Sequence, residues 1–131
     1  MATEHINPAG VGAPNMYTHV VAAQGGKTVY ISGQIGMNAE GKVAGPDLAS
    51  QGEQVFENIK ACLASVRATF ADVVKFTTFV VNYKPSDRPI ITALRQKYVP
   101  STNPPASTLV GVQALALPEL LIEIETVAVI A

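Results

Sequence analysis

Gln54-Val55-Phe56-Glu57-Asn58-Ile59-Lys60-Ala61-Cys62-Leu63-Ala64-Ser65-Val66-Arg67-Ala68-Thr69-Phe70 carries the reading that decides the fold. Val55, Ile59, Leu63, Val66 and Phe70 recur at three and four residues, which lines one side of an α-helix with apolar groups. Immediately afterwards the pattern changes. Residues 72–82 are dense in valine, phenylalanine and threonine and apolar on both sides, which predicts a strand covered on both faces and so central in its sheet. Pro46-Asp47 is the expected helix start, with Ser50-x-x-Glu53 a second capping-box candidate one turn later.

Upstream, Val29, Ile31 and Gly33 alternate with Thr28, Tyr30 and Ser32, the period of a strand over residues 27–34. Gly25-Gly26 is predicted to join it as a hairpin to a short strand at residues 17–23, because glycine accepts positive φ without strain. Residues 1–16 hold Pro8, Gly10, Gly12 and Pro14 with no period and read as an irregular arm. Downstream, Ser86 or Asp87 can cap a second helix with Pro89 in its first turn. Ile90, Ile91, Leu94 and Tyr98 form its apolar side, and Pro100 ends it. Beyond Asn103-Pro104-Pro105 come two strands, residues 106–113 and 120–130. The expected order is ββαβαββ in one domain spanning residues 1–131, an α+β layer with both helices on one face of the sheet.

Composition narrows the function classes. Hydrophobic residues make up 48% and charged residues 15%, so some apolar surface is expected to be covered by another copy of the chain. The net charge is −1 and no basic run exists, which leaves phosphate neutralisation, and so nucleic-acid binding, little to work with. The lone Cys62 falls within the helical apolar pattern and reads as a packing residue in a reducing compartment. No charged-then-apolar leader is visible, and no apolar run approaches the ~20 residues of a membrane span. A cytoplasmic protein without a membrane partner is expected.

Glu123 and Glu125 lie two apart on a strand and therefore share a face, followed on it by Val127 and Val129. Two readings stay open: a cleft wall whose polar mouth supplies a general base, or a solvated strand end. Ser32-Gly33-Gln34 closes a strand with a residue lacking Cβ, which marks either a bulge or a close approach by ligand. His5 and His19 have no cysteine or carboxylate at ligand spacing, so no metal site is expected. No phosphate-cradling glycine pattern is present, and no cofactor is expected.

Three runs together, Ile31-Ser32-Gly33-Gln34-Ile35, Pro105-Ala106-Ser107-Thr108-Leu109-Val110 and Ile122-Glu123-Ile124-Glu125-Thr126-Val127-Ala128-Val129, resemble the RidA/YjgF family of small imine-handling proteins, with the likeness extending from about Tyr17 to Ala131. The resemblance implies a chorismate-mutase-like fold and a homotrimer whose sheets line a central barrel, with a small-molecule cleft between neighbouring subunits. It assigns Glu123 to the water that attacks an imine carbon, and Tyr17, Ser32, Gly33 and Thr92 to ligand contacts. Thr92 stands where archetypal members have an asparagine. The main departure is Ser107, which replaces an arginine that grips the substrate carboxylate through two parallel hydrogen bonds; one neutral hydroxyl is a poor substitute. Arg95, three residues beyond Thr92 on the same helix face, is the candidate to replace that charge. Arg88, in the first turn, is less favourably placed. Two functions follow from the resemblance: hydrolysis of a reactive imine or enamine to a ketone and ammonia, or non-catalytic binding of a small metabolite. RNA cleavage, attached by name to some members, finds little support in so few aromatics and no basic patch.

Overall fold

In the computed structural model, which describes residues 3–131, a four-stranded mixed sheet carries two helices on one face. The strands are β1 (Thr3–Ile6), β2 (Val20–Ala23), β3 (Lys27–Ile35), β4 (Val73–Val81), β5 (Ala106–Val112) and β6 (Ile122–Ile130). The helices are α1 (Leu48–Ala64) and α2 (Arg88–Tyr98). The main sheet runs β3-β6-β4-β5, so β4 is central as its two-sided apolar pattern requires. β6 is antiparallel to both neighbours, while β4 and β5 are parallel. Parallel neighbours need a long crossover, and α2 supplies it. α1 likewise carries the chain from β3 over β6 to β4.

Helix α1 begins where Pro46-Asp47 placed it. Asp47 Oδ2 accepts hydrogen bonds from the Ser50 backbone N–H (2.9 Å) and the Ser50 hydroxyl (3.0 Å), so Ser50 serves the Asp47 cap instead of making its own. The helix ends earlier than the apolar stripe suggests. After Ala64 the chain turns through Arg67, at φ 62°, and Phe70 reaches the core from a 3₁₀ turn. The stripe was set by what faces the sheet, and a turn can continue it.

Two expectations are corrected at the N-terminus. The arm over residues 1–16 is not wholly irregular: Thr3–Ile6 forms β1 and pairs antiparallel with β2 in a separate two-stranded sheet. Gly25 and Gly26 do adopt φ of 71° and 69°, but the strands they join are not hydrogen-bonded to each other. β2 takes its partner from the arm and β3 takes β6, so the order becomes βββαβαββ. A local turn signal cannot reveal such a competition between partners. Residues 17–19, expected in the strand, precede it.

The core lies between α1, α2 and the sheet. Phe56 and Tyr98 stack with ring centroids 5.2 Å apart, and Phe70 and Phe76 close round them. Gly52 lets the helices meet: a Cβ there would lie 2.4 Å from Leu94 Cδ1. On the rim, the Tyr98 hydroxyl lies within hydrogen-bonding distance of the Glu53 (2.7 Å) and Glu57 (2.6 Å) carboxylates, which share its one proton, and Lys97 pairs with Glu53. The hydrogen bond from Lys97 holds the Glu53 carboxyl below its ordinary pKa, and burial together with the carboxylates pushes the Tyr98 phenol well above its own.

One polar side chain is fully buried at the centre of this arrangement. Gln51 donates to the carbonyls of Gly45 and Glu119 (both 2.9 Å) and accepts from the Leu121 N–H (2.8 Å). It therefore fixes both loops that lead into α1 and β6. Gln51→Leu removes all three bonds while leaving their partners buried, so urea denaturation should show a loss of about 2–5 kcal/mol. A variant as stable as wild type would mean that water reaches these backbone groups.

Candidate functional site

β-strand alternation puts successive side chains on opposite faces, and that sorts the predicted site residues. On β4, Phe76, Thr78 and Val80 are buried towards the helices; on β6, Ile122, Ile124, Thr126 and Ala128 are. Ser107, opposite Phe76 on β5, also faces the helices. A cavity of about 380 Å³ lies there, lined by Tyr17, Thr78, Tyr83, Arg88, Thr92, Arg95 and Ser107 among others. Tyr17, Thr92, Arg95 and Ser107 thus line one cavity.

The remaining three do not. Glu123, between buried Ile122 and Ile124 and opposite Phe79, projects from the helix-free face. Ser32 and Gly33 occupy a β-bulge, where β3 uses three steps from Ile31 to Gln34 against two on β6. A Cβ on Gly33 would fall 2.0 Å from Glu123 Oε2, so the missing side chain is what gives the carboxylate its place. Ser32 is exposed beside it. Ser32-Gly33 is therefore both a bulge and the seat of Glu123. The pleat forbids Glu123 from entering the cavity of its own protomer.

Arg95 governs the cavity. Its Nη1 donates to Ser107 Oγ and its Nη2 to the Met16 carbonyl, each at 3.1 Å. The guanidinium carbon lies 5.1 Å from the centre of the Phe76 ring, a cation–π contact that offsets part of the desolvation. Burial pushes the Arg95 pKa below its ordinary value, yet a guanidinium remains charged at any pH a protein tolerates. Among the described residues its buried Nε has no hydrogen-bond partner, and the one salt bridge is Lys97–Glu53. Arg95 is a cation without a protein anion. The planar charge reaches the cavity from α2, and the small Ser107 side chain on β5 leaves space for it.

The arm completes the wall. Thr18 bonds Pro104 and Pro105 through its hydroxyl and N–H, which pins the preceding Tyr17 over α2. Met16 sits at φ 66°, a left-handed conformation unusual for methionine, with its carbonyl turned to Arg95. A second cavity, about 650 Å³, opens on the far side of the same Met16, Tyr17 and Arg95. Sequence reasoning missed Met16 and Thr78 and undervalued Arg88, which also lines the cavity. Thr78 had left a trace, a hydroxyl on the buried side of an apolar strand. Met16 had left none.

Residues 9–130 match the family described as Endoribonuclease L-PSP. A 2-iminobutanoate/2-iminopropanoate deaminase of Dermatophagoides farinae is 40% identical over 111 residues, covering 83% of each chain. Among solved structures, a Rid-family protein of unknown function, YyfB from Yersinia pestis, aligns with TM-score 0.88 at 40% identity, covering 99% of this chain and 100% of that one. RidA from an Antarctic Psychrobacter aligns with TM-score 0.72 at 33% identity, over 91% and 92% of the two chains.

The position of Arg95 reverses a simple intuition about Ser107. Restoring an arginine by Ser107→Arg places a second guanidinium against the first in an already filled wall. We expect about 1–3 kcal/mol of destabilisation by chemical denaturation, from overpacking and like-charge repulsion. Unchanged stability would show that Arg95 leaves the cavity readily.

Proposed function

From membership of the RidA/YjgF family, to which this chain belongs, we propose that it is a divergent RidA-like protein hydrolysing a small reactive imine, or the enamine that tautomerises to it, to a ketone and ammonia. The single observation that carries this reading is the unneutralised Arg95 guanidinium at the Ser107 position of the cavity. A carboxylate is the partner such a fork fits. The substrate anion takes the free donors of Arg95, with the Thr92 and Ser107 hydroxyls beside it.

The base comes from a second copy. The helix-free face presents Tyr30, 79% exposed, and β5 adds exposed Val110, apolar groups that a neighbouring protomer would cover. In a homotrimer, Glu123 of one protomer, seated on Gly33 beside Ser32, meets the Arg95 cavity of the next. There it accepts a proton from water as the water oxygen bonds to the imine carbon, and it passes that proton to the nitrogen that receives the C=N electron pair. In the collapse of the resulting carbinolamine the same carboxylate carries the hydroxyl proton to the leaving nitrogen, so that the carbonyl re-forms, ammonia departs and the carboxylate is regenerated. No cofactor is needed, because the imine carbon is already electrophilic.

A second reading is favoured by one fact: cavity and carboxylate stand on opposite faces of a protomer. Without trimerisation the chain is a small-anion binder with no base at its site. RNA cleavage ranks last, since the cavity lining holds no histidine or carboxylate to act as a paired acid and base.

Incubation with freshly generated 2-iminobutyrate or 2-aminoacrylate should accelerate keto-acid release, and sedimentation should give a trimer. Glu123→Gln should lower the rate about 10²–10⁴-fold, the usual contribution of a general base. Gly33→Ala should reduce it as well, since the Glu123 side chain from Cγ outward (Oε2 2.0 Å, Cδ 2.7 Å and Cγ 2.9 Å from the new Cβ) must swing away from its seat. Release no faster than in buffer would remove the hydrolase and leave the binder.

A further inference from the structure

The cavity carries more positive charge than one carboxylate neutralises. Arg88, Ile91, Thr92 and Arg95 stand at i, i+3, i+4 and i+7 of α2, so a single stripe of the helix is turned into it. Two turns separate the arginine Cα atoms by about 10.5 Å along the axis, a span that two long side chains can narrow to the length of a short diacid. The sheet side opposes them with the hydroxyls of Thr78, Tyr83 and Ser107. No aspartate or glutamate lines the space, and among the described residues neither arginine has a carboxylate partner.

The two arginines differ in setting. Arg95 is largely buried, tied to Ser107 and Met16, and holds its plane on Phe76. Arg88 is exposed at the mouth, and its guanidinium makes no hydrogen bond to a described residue. An inner cation fixed in orientation and an outer one free to close suit a ligand with one charge at each end. A monoacid satisfies the inner group alone.

Building on the reading above, we propose that the substrate is a small 2-imino dicarboxylate, its near carboxylate held by Arg95 and its distal carboxylate by Arg88. The imine carbon then sits between them, beside Thr92, and open to the partner's carboxylate. Arg88 is on this account the residue that sets specificity.

The test is calorimetric titration at low salt with stable acids: malonate, succinate, glutarate and 2-oxoglutarate against butyrate and 2-oxobutyrate. The best diacid should bind roughly tenfold more tightly than its matched monoacid, about the worth of one added charge-assisted contact. Arg88→Gln should bring that ratio close to one, whereas Lys60→Ala, on the exposed side of α1, should keep it. Equal affinities for diacids and monoacids in the wild type, or a ratio unaltered by Arg88→Gln, would overturn the assignment. The two readings fail separately. A diacid preference without turnover of any imine removes the hydrolase and leaves the dianion site, while turnover of 2-iminobutyrate without a diacid preference does the reverse.

Discussion

The pleat of β6 constrains everything else in this protein. Ile122, Ile124, Thr126 and Ala128 face the helices and join Ile31, Phe76 and Val80 in the core that α1 and α2 cover. Glu123, Glu125, Val127 and Val129 are then committed to the opposite side. β6 is also hydrogen-bonded on both edges, to β3 and β4, so no local adjustment can turn one residue over. The same commitment that builds the core separates the carboxylate from the cavity. A protomer folded this way carries its buried guanidinium and the Glu123 carboxylate on different faces.

Within the cavity, the positive charge stands on α2 and meets β5 only through the Ser107 hydroxyl. Leaving water is costly for any ion, and here the Phe76 face, the Ser107 hydroxyl and the Met16 carbonyl offset only part of it. Among the described residues the buried Nε is left without a partner. The unusual backbone of Met16 belongs to the same compromise, since its carbonyl must be aimed inward to serve Arg95.

Legibility differed sharply between elements. The α1 period and the two-sided apolarity of β4 were readable because helix and strand report their own burial through spacing alone. Asp47 was readable as a cap because capping is settled within four residues. The partners of β2 were not, since β1 and β3 compete for it and the Gly25-Gly26 turn has the same φ values whichever strand wins. Ser32-Gly33 showed its backbone character but not its purpose, which needed the Glu123 side chain across the β3–β6 register.

Residue order alone thus settled both helices and five of the six strands, because each depends on neighbours a few positions away. Tertiary packing decided which of those groups meet. Arg95 lies 12 residues from Ser107 and 79 from Met16, and Gly33 lies 90 from Glu123. Encounters over such separations are set by the pairing of strands and the seating of α2, which no local spacing encodes.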